Sequence, residues 1–137
     1  MQKIAIITAG GSGSRMGSPI PKQFLLLNQK PLLWYTISAF LEAFRDISII
    51  LVLPQDYMTA GAELVNELQI TNQTTLVVGG STRYHSVQNG IQQIKNHSVV
   101  FVHDGVRCLV TPNLIKRCFE QTIEKGSAIP AVTCTDS

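Results

Sequence analysis

The feature that most constrains this chain is an alternation: short apolar runs of strand length, each followed by a stretch with helical spacing. Residues 3–8, 47–53, 75–78, 98–103 and 128–134 read as buried strands, because their aliphatic side chains run nearly unbroken. The intervening segments carry apolar residues three and four apart. Pro31 suits the first turn of a helix that places Leu33, Ile37, Phe40, Leu41 and Phe44 on one face. Asp56 is positioned to cap a shorter helix whose inward stripe is Met58, Ala62, Val65 and Leu68. Ser81 or Thr82 would cap a third, with Tyr84, Val87, Ile91 and Ile94 inward. Thr111 and Pro112 open a fourth, burying Leu114, Ile115, Cys118, Phe119 and Ile123, and Gly126 stops it. This alternation predicts an α/β fold: a mostly parallel, twisted sheet with helices on both faces and right-handed crossovers. Ligands of such sheets sit beyond the carboxyl ends of the strands. Residues 9–22, 79–86 and 104–107 should therefore open onto one edge.

Composition excludes several classes. A length of 137 residues suits a single domain, and no repeat or linker-like stretch divides it. No aliphatic run is longer than residues 49–53, far short of the roughly 20 residues that span a bilayer. The start of the chain lacks a signal-peptide pattern, so a cytoplasmic location is expected. Eleven basic and 9 acidic residues give a net charge of +2, too mild for a protein that coats nucleic acid. The 3 cysteines, Cys108, Cys118 and Cys134, lack C-x-x-C spacing and read as reduced thiols rather than a disulfide or zinc framework. The charge is unevenly spread: Lys3, Arg15, Lys22 and Lys30 all precede the first acid, Glu42. Lys3 and Lys30 read as solvated; Arg15 and Lys22 flank a glycine cluster.

That cluster is the string AGGSGSRMG at residues 9–17, followed by Pro21, Lys22 and Gln23. Glycines let backbone N–H groups approach an anion closely. The string is not a Walker A loop, because Arg15, Met16 and Ser18 stand where the second glycine should follow Gly10, Gly11 or Gly13. It is not a dinucleotide fingerprint either, since Met16 takes the place of its third glycine and no acid lies about twenty residues on. An arginine and a lysine on a loop leaving a strand suit a polyphosphate, gripped bidentately by the guanidinium and neutralised by the ammonium. A glycine-rich surface turn with solvated cations would carry the same residues. Gly79, Gly80, Ser81, Thr82 and Arg83 form a second glycine turn that opens a helix, with Ser86 one turn in. Arg83 opposes the helix dipole there, so a bound anion or a buried carboxylate should face it. His103, Asp104, Gly105, Val106 and Arg107 end the fourth strand. An aspartate in that place suits Mg²⁺, which takes carboxylate together with substrate phosphates. His103 follows an apolar run and reads as an oriented imidazole rather than a base.

Together these segments resemble the 2-C-methyl-D-erythritol 4-phosphate cytidylyltransferase family. The matching residues are the string at 9–17, Pro21 to Gln23, Gly79, Gly80, Arg83, Ser86 and Val87, Val102 to Arg107, and the tail IPAVTCTDS at 129–137. The resemblance implies a Rossmann-like nucleotidyltransferase that transfers CMP from CTP to a polyol phosphate, 2-C-methyl-D-erythritol 4-phosphate, and releases pyrophosphate, giving CDP-methylerythritol for non-mevalonate isoprenoid synthesis, without nucleic-acid or membrane partners. It implies that Arg15 and Lys22 are catalytic, stabilising the charged transition state. Ala9, Gly10, Gly11, Gly13, Gly80, Ser81, Ser86, Asp104 and Gly105 would hold the nucleotide. Asp104 would bind Mg²⁺, and Arg107 and Ser137 would face the acceptor. A sister enzyme acting on ribitol 5-phosphate shares these loops, and a non-catalytic nucleotide-binding fragment is a further alternative. Cys108 stands where many relatives have proline, and Ser137 where threonine is frequent. Members of the family continue past this point and dimerise. With the fifth strand pattern ending beside Ser137, the expectation is that residues 1–137 are the N-terminal portion of one nucleotidyltransferase domain.

Overall fold

The computed structural model describes residues 2–9 and 24–127. In chain order the elements are β1 (Gln2–Thr8), β2 (Leu26–Leu27), β3 (Lys30–Pro31), α1 (Leu32–Ala43), β4 (Ser48–Leu53), α2 (Met58–Glu67), β5 (Thr74–Val78), α3 (Arg83–Ile91), β6 (Ser98–Asp104) and α4 (Pro112–Lys125). Four of the five expected strands appear within one residue of their expected bounds; the fifth, 128–134, lies outside the described residues. They form a parallel sheet in the order β5-β4-β1-β6. β1 is the inner strand that pairs on one side with β4 and on the other with β6, so Ile4, Ala5, Ile6 and Ile7 are all buried. Burial on both faces explains the unbroken apolar runs of β1 and β4. β5 and β6, at the edges of the described sheet, are only partly buried, with Val78, Val100 and Val102 exposed, contrary to the expectation of buried strands there.

The two faces are unequal. On one, Ala5, Ile7, Ile49, Leu51 and Leu53 pack with Leu33, Ile37 and Phe40 of α1, Leu64 and Val65 of α2, and Ile115 of α4. On the other, Ile4, Ile6, Ile50 and Val52 form a small cluster with Val77 and Ile94 beneath α3. The chain crosses from β1 to β4 to β5 in one direction and then returns past β1 to β6. Crossovers of one hand therefore put α1 and α2 on one face and α3 on the other. Among the described residues no helix is long and apolar enough to cross a membrane.

Several local expectations need correction. α3 does not turn Tyr84 and Ile91 inward: they are 59% and 49% exposed, while Ser86 and Gly90 are buried. The face beneath α3 is studded with β-branched side chains, and a Cβ on Gly90 would stand 2.9 Å from Ile6 Cγ2. The helix meets this surface with its smallest residues, and bulk goes to the flanks. In α2, Asp56 makes no capping bond and sits in a 3₁₀ turn, Gln55–Tyr57, ahead of the helix. Its buried residues are Gly61, Leu64 and Val65; Ala62, about 100° on from Gly61, is exposed. Pro31 precedes α1 as its N-cap and pairs in the β2–β3 hairpin, whose two-residue turn holds Asn28 and Gln29 at φ 52° and 70°. In α4, Ile123 is 52% exposed, while Leu114, Ile115, Cys118 and Phe119 face inward. Thr111 caps the helix by accepting from Leu114 N–H, and Gly126 ends it at φ 90°.

Lys3 and Lys30 are not simply solvated. Lys3 Nζ lies 5.0 Å from the Phe44 ring centroid and 5.4 Å from that of Phe119, and 3.4 Å from Asp46 Oδ2. It joins the end of α1 to α4 by cation–π contact. Lys30 Nζ lies 5.6 Å from the Trp34 ring and 3.5 Å from Glu67 Oε1.

The α3 correction is directly testable. Gly90→Val should lower unfolding stability by about 1–3 kcal/mol through overpacking. Ile91→Ser should stay within about 0.5 kcal/mol. Urea denaturation of both variants checks this, and a larger loss at Ile91 than at Gly90 contradicts the assignment.

Candidate active site

The strand ends are brought level by the backbone ladder. In β1, Thr8 is in register with Val52 of β4 and Asp104 of β6. Beyond the strands the ladder continues: Ala9 N–H donates to Val52 O at 2.7 Å, Gly79 N–H to Leu53 O at 2.7 Å, and Gly105 N–H to Thr8 O at 2.9 Å. Ala9, Gly79 and Gly105 thus leave the same edge of the sheet, as the sequence pattern requires. β1 and β6 are adjacent although the crossover leaving β1, through α1, and the one arriving at β6, through α3, lie on opposite faces. This is a topological switch point, where a crevice opens outside the carboxyl ends. Gly10, Gly11, Gly13, Arg15, Lys22 and Ser137 lie outside the described residues.

The turn after β5 is tied down by α3. Ser86 is 2% exposed, and its Oγ accepts from Gly80 N–H at 3.0 Å. Thr82, rather than Ser81, caps the helix, accepting from His85 N–H at 3.1 Å. Asn89 Nδ2 donates to Val78 O at 3.1 Å, holding the end of β5 to the same helix. Ser81 is exposed, its Oγ 3.3 Å from His85 Nδ1. Ser86 therefore shapes the turn from below, whereas Ser81 offers its hydroxyl to solvent. Arg83 is exposed and has no carboxylate partner among the described residues. It lines one end of a groove of about 1030 Å³ that runs between β6 and α4 and is walled largely by apolar side chains such as Phe101, Leu114 and Ile115; His103, Asp104, Val106 and Arg107 also border it.

The turn after β6 is the most tightly specified part of the edge. Asp104 Oδ1 accepts from Val106 N–H at 3.2 Å, and Asp104 O accepts from Arg107 N–H at 3.0 Å. His103 Nε2 donates to Arg107 O at 3.0 Å, so the imidazole is oriented by its own turn. The His103 ring also packs edge-on to Phe40 at 5.5 Å between centroids. Gly105 is required by close approach: a Cβ there would stand 3.0 Å from Leu33 Cδ1 and 3.3 Å from Thr8 O. Its carbonyl accepts from Thr36 Oγ1 at 2.8 Å. Sequence reasoning passed over Thr36. The available signal was a hydroxyl placed within the apolar stripe of α1, between Leu33 and Ile37.

Asp104 can serve a divalent cation. One carboxylate oxygen is engaged by Val106, and the other makes no hydrogen bond or ion pair among the described residues. No group of three or more His, Cys, Asp or Glu side chains able to hold a metal gathers among those residues. A single carboxylate suits Mg²⁺, which keeps waters and takes further oxygens from phosphates, better than it suits Zn²⁺. At the edge, then, are a carboxylate and two cations, Arg83 and Arg107, an arrangement that suits a metal-bound polyphosphate.

Comparison with known proteins agrees with this geometry. The family model described as 2-C-methyl-D-erythritol 4-phosphate cytidylyltransferase matches residues 3–137. A protein of that name from Azobacteroides pseudotrichonymphae is 44% identical over 136 residues, covering 99% of this chain and 61% of the relative. Another, from Bacteroides thetaiotaomicron, is 40% identical over 137 residues, covering 100% of this chain and 63% of the relative. The crystal structure of 4-diphosphocytidyl-2C-methyl-D-erythritol synthase from Anaerococcus prevotii superposes with a TM-score of 0.74 at 26% identity, over 90% of this chain and 52% of that one. The chain thus spans about three fifths of the length of these curated relatives.

Ser86→Ala should cost about 1 kcal/mol of stability, because Gly80 N–H loses its acceptor in a half-buried place. Ser81→Ala should be neutral to within about 0.5 kcal/mol. Chemical denaturation separates the two, and equal effects would overturn the division of roles.

Proposed function

Since this chain belongs to the 2-C-methyl-D-erythritol 4-phosphate cytidylyltransferase family, we propose that the protein transfers CMP from CTP to 2-C-methyl-D-erythritol 4-phosphate. The observation that carries the reading is the meeting of Ala9, the Gly80–Ser86 turn and the Asp104–Arg107 turn at one sheet edge, beside the β1–β6 switch point. The acceptor's phosphate oxygen attacks the α-phosphorus of CTP, a new P–O bond forms, and the bond to the β-phosphate oxygen breaks to release pyrophosphate. Such transfers need little covalent help from the protein; positioning and stabilisation of charge supply the rate. In this reading Arg15 and Lys22 neutralise charge on the reacting phosphates, and Gly10, Gly11 and Gly13 present backbone N–H groups to them. Ala9, Gly80 and Ser81 border the nucleotide, with Ser86 holding Gly80 in place. Asp104 holds Mg²⁺, which screens charge on the triphosphate, and Gly105 allows the ribose to approach. Arg107 and Ser137 face the acceptor. We place the enzyme in the cytoplasm, as a homodimer in its complete form.

Pyrophosphate release by the full native polypeptide tests the reading. Turnover should require CTP with Mg²⁺ and prefer methylerythritol phosphate over ribitol 5-phosphate. A preference for ribitol 5-phosphate would reassign the acceptor, and CTP binding without turnover would reduce the site to a binding module. Arg15→Ala or Lys22→Ala should slow turnover by about 10²–10³, as for a lost charge-stabilising group. Near-native rates in either variant would refute the roles given to these side chains.

A further inference from the structure

Thr36 stands mid-way along α1 and is 0% exposed. A threonine inside a helix ordinarily returns its hydroxyl hydrogen bond to a carbonyl one turn back. Thr36 instead donates across 69 positions of chain to the carbonyl of Gly105, 2.8 Å away. That carbonyl and the N–H of Val106 belong to one planar peptide unit, pointing in opposite directions. The Val106 N–H is the group that donates to Asp104 Oδ1, at 3.2 Å. The three hydrogen-bonding groups therefore form a continuous line: the Thr36 hydroxyl, the Gly105–Val106 peptide, and the Asp104 carboxylate.

The peptide has little freedom to turn in any other way. Gly105 N–H is held by Thr8 O at 2.9 Å, and the glycine lies against Leu33 and Ala9. Rotation of the 105–106 peptide plane is the remaining way for the turn to relax, and the Thr36 hydroxyl opposes it. A bond of this kind also polarises the next one in line, strengthening the hold on the carboxylate.

We propose that Thr36 is a positioning residue for Asp104. Through the Gly105–Val106 peptide it fixes the carboxylate by Oδ1 and leaves Oδ2 for a divalent cation on the nucleotide. The inference rests on the reading of Asp104 as the cation-binding carboxylate. The hydroxyl is the essential group, so serine should replace threonine and valine should not.

Two measurements on the full native polypeptide decide the matter. First, hydrogen exchange without ligand should show Val106 N–H exchanging about tenfold faster in Thr36→Val, the size of one lost hydrogen bond, and within about twofold of native in Thr36→Ser. The amides of β1 should be unchanged. Second, calorimetric titration with CTP and Mg²⁺ should show affinity lowered about 10-fold or more in Thr36→Val, as for a lost outer-shell partner, and restored in Thr36→Ser. Thr36→Val should have no further effect in an Asp104→Asn background. Exchange that quickens uniformly through α1 and β1, or losses that add in the double variant, would show a packing role and overturn the proposal. If the unsubstituted protein does not bind CTP with Mg²⁺, the functional reading fails, and with it the cation-directed part of the proposal. The Val106 exchange then still decides whether the hydroxyl braces the turn.

Discussion

The structure depends on β1 being paired along both edges and covered on both faces. Its ladders to β4 and β6 run to Thr8 on both sides, and two further backbone bonds carry them past the strand ends. These bonds are made by main-chain groups, so the level of the three loops is set by register and not by the loop side chains. A one-residue slip of β6 would turn its inward side chains to the other face and also displace Asp104 from Thr8. The same pairing that makes the core thus sets the spacing of the site.

The switch point then divides the work between helices on opposite faces. α1 reaches the edge from beneath β1 and β6, contributing Leu33 and Thr36 to the Gly105 turn and Phe40 to His103. α3 reaches it from the other face, where Ser86 and Asn89 hold the end of β5. Each helix fixes the backbone of a neighbouring turn, leaving Ser81, Arg83 and Arg107 exposed at the edge.

Strands and their order of appearance were readable because runs such as IAIIT and IILVL admit no half-exposed alternative. The catalytic reading was carried by recurring loop residues, of which Ala9, Gly80, Ser81, Ser86, Asp104, Gly105 and Arg107 fall on the described edge. What escaped had physical causes. Periodicity assigns the large apolar side chains of α3 to its buried face, but a crowded β-branched surface admits Ser86 and Gly90 in their place. The β2–β3 hairpin is too short to show alternation. Lys3 could not be placed because its aromatic partners, Phe44 and Phe119, lie far along the chain. Thr36 was invisible for the same reason: its partner is 69 residues away, and local periodicity carries no information about such a bond.

The unequal covering of the sheet has a consequence for how the molecule would come apart. Among the described elements, three helices share the broad core around Phe40, while α3 alone rests on four buried side chains, Ile4, Ile6, Ile50 and Val52, with Val77 and Ile94 at the margin. Cooperative opening units follow the distribution of buried apolar contact. α3 is therefore the element that lifts first, taking the Gly80 turn with it, while the Asp104 turn stays attached to the larger body through α1. The two lips of the crevice are thus anchored to cores of unequal size, the Gly80 turn to the smaller and the Asp104 turn to the larger, and by that measure the first is the one expected to open at lower cost.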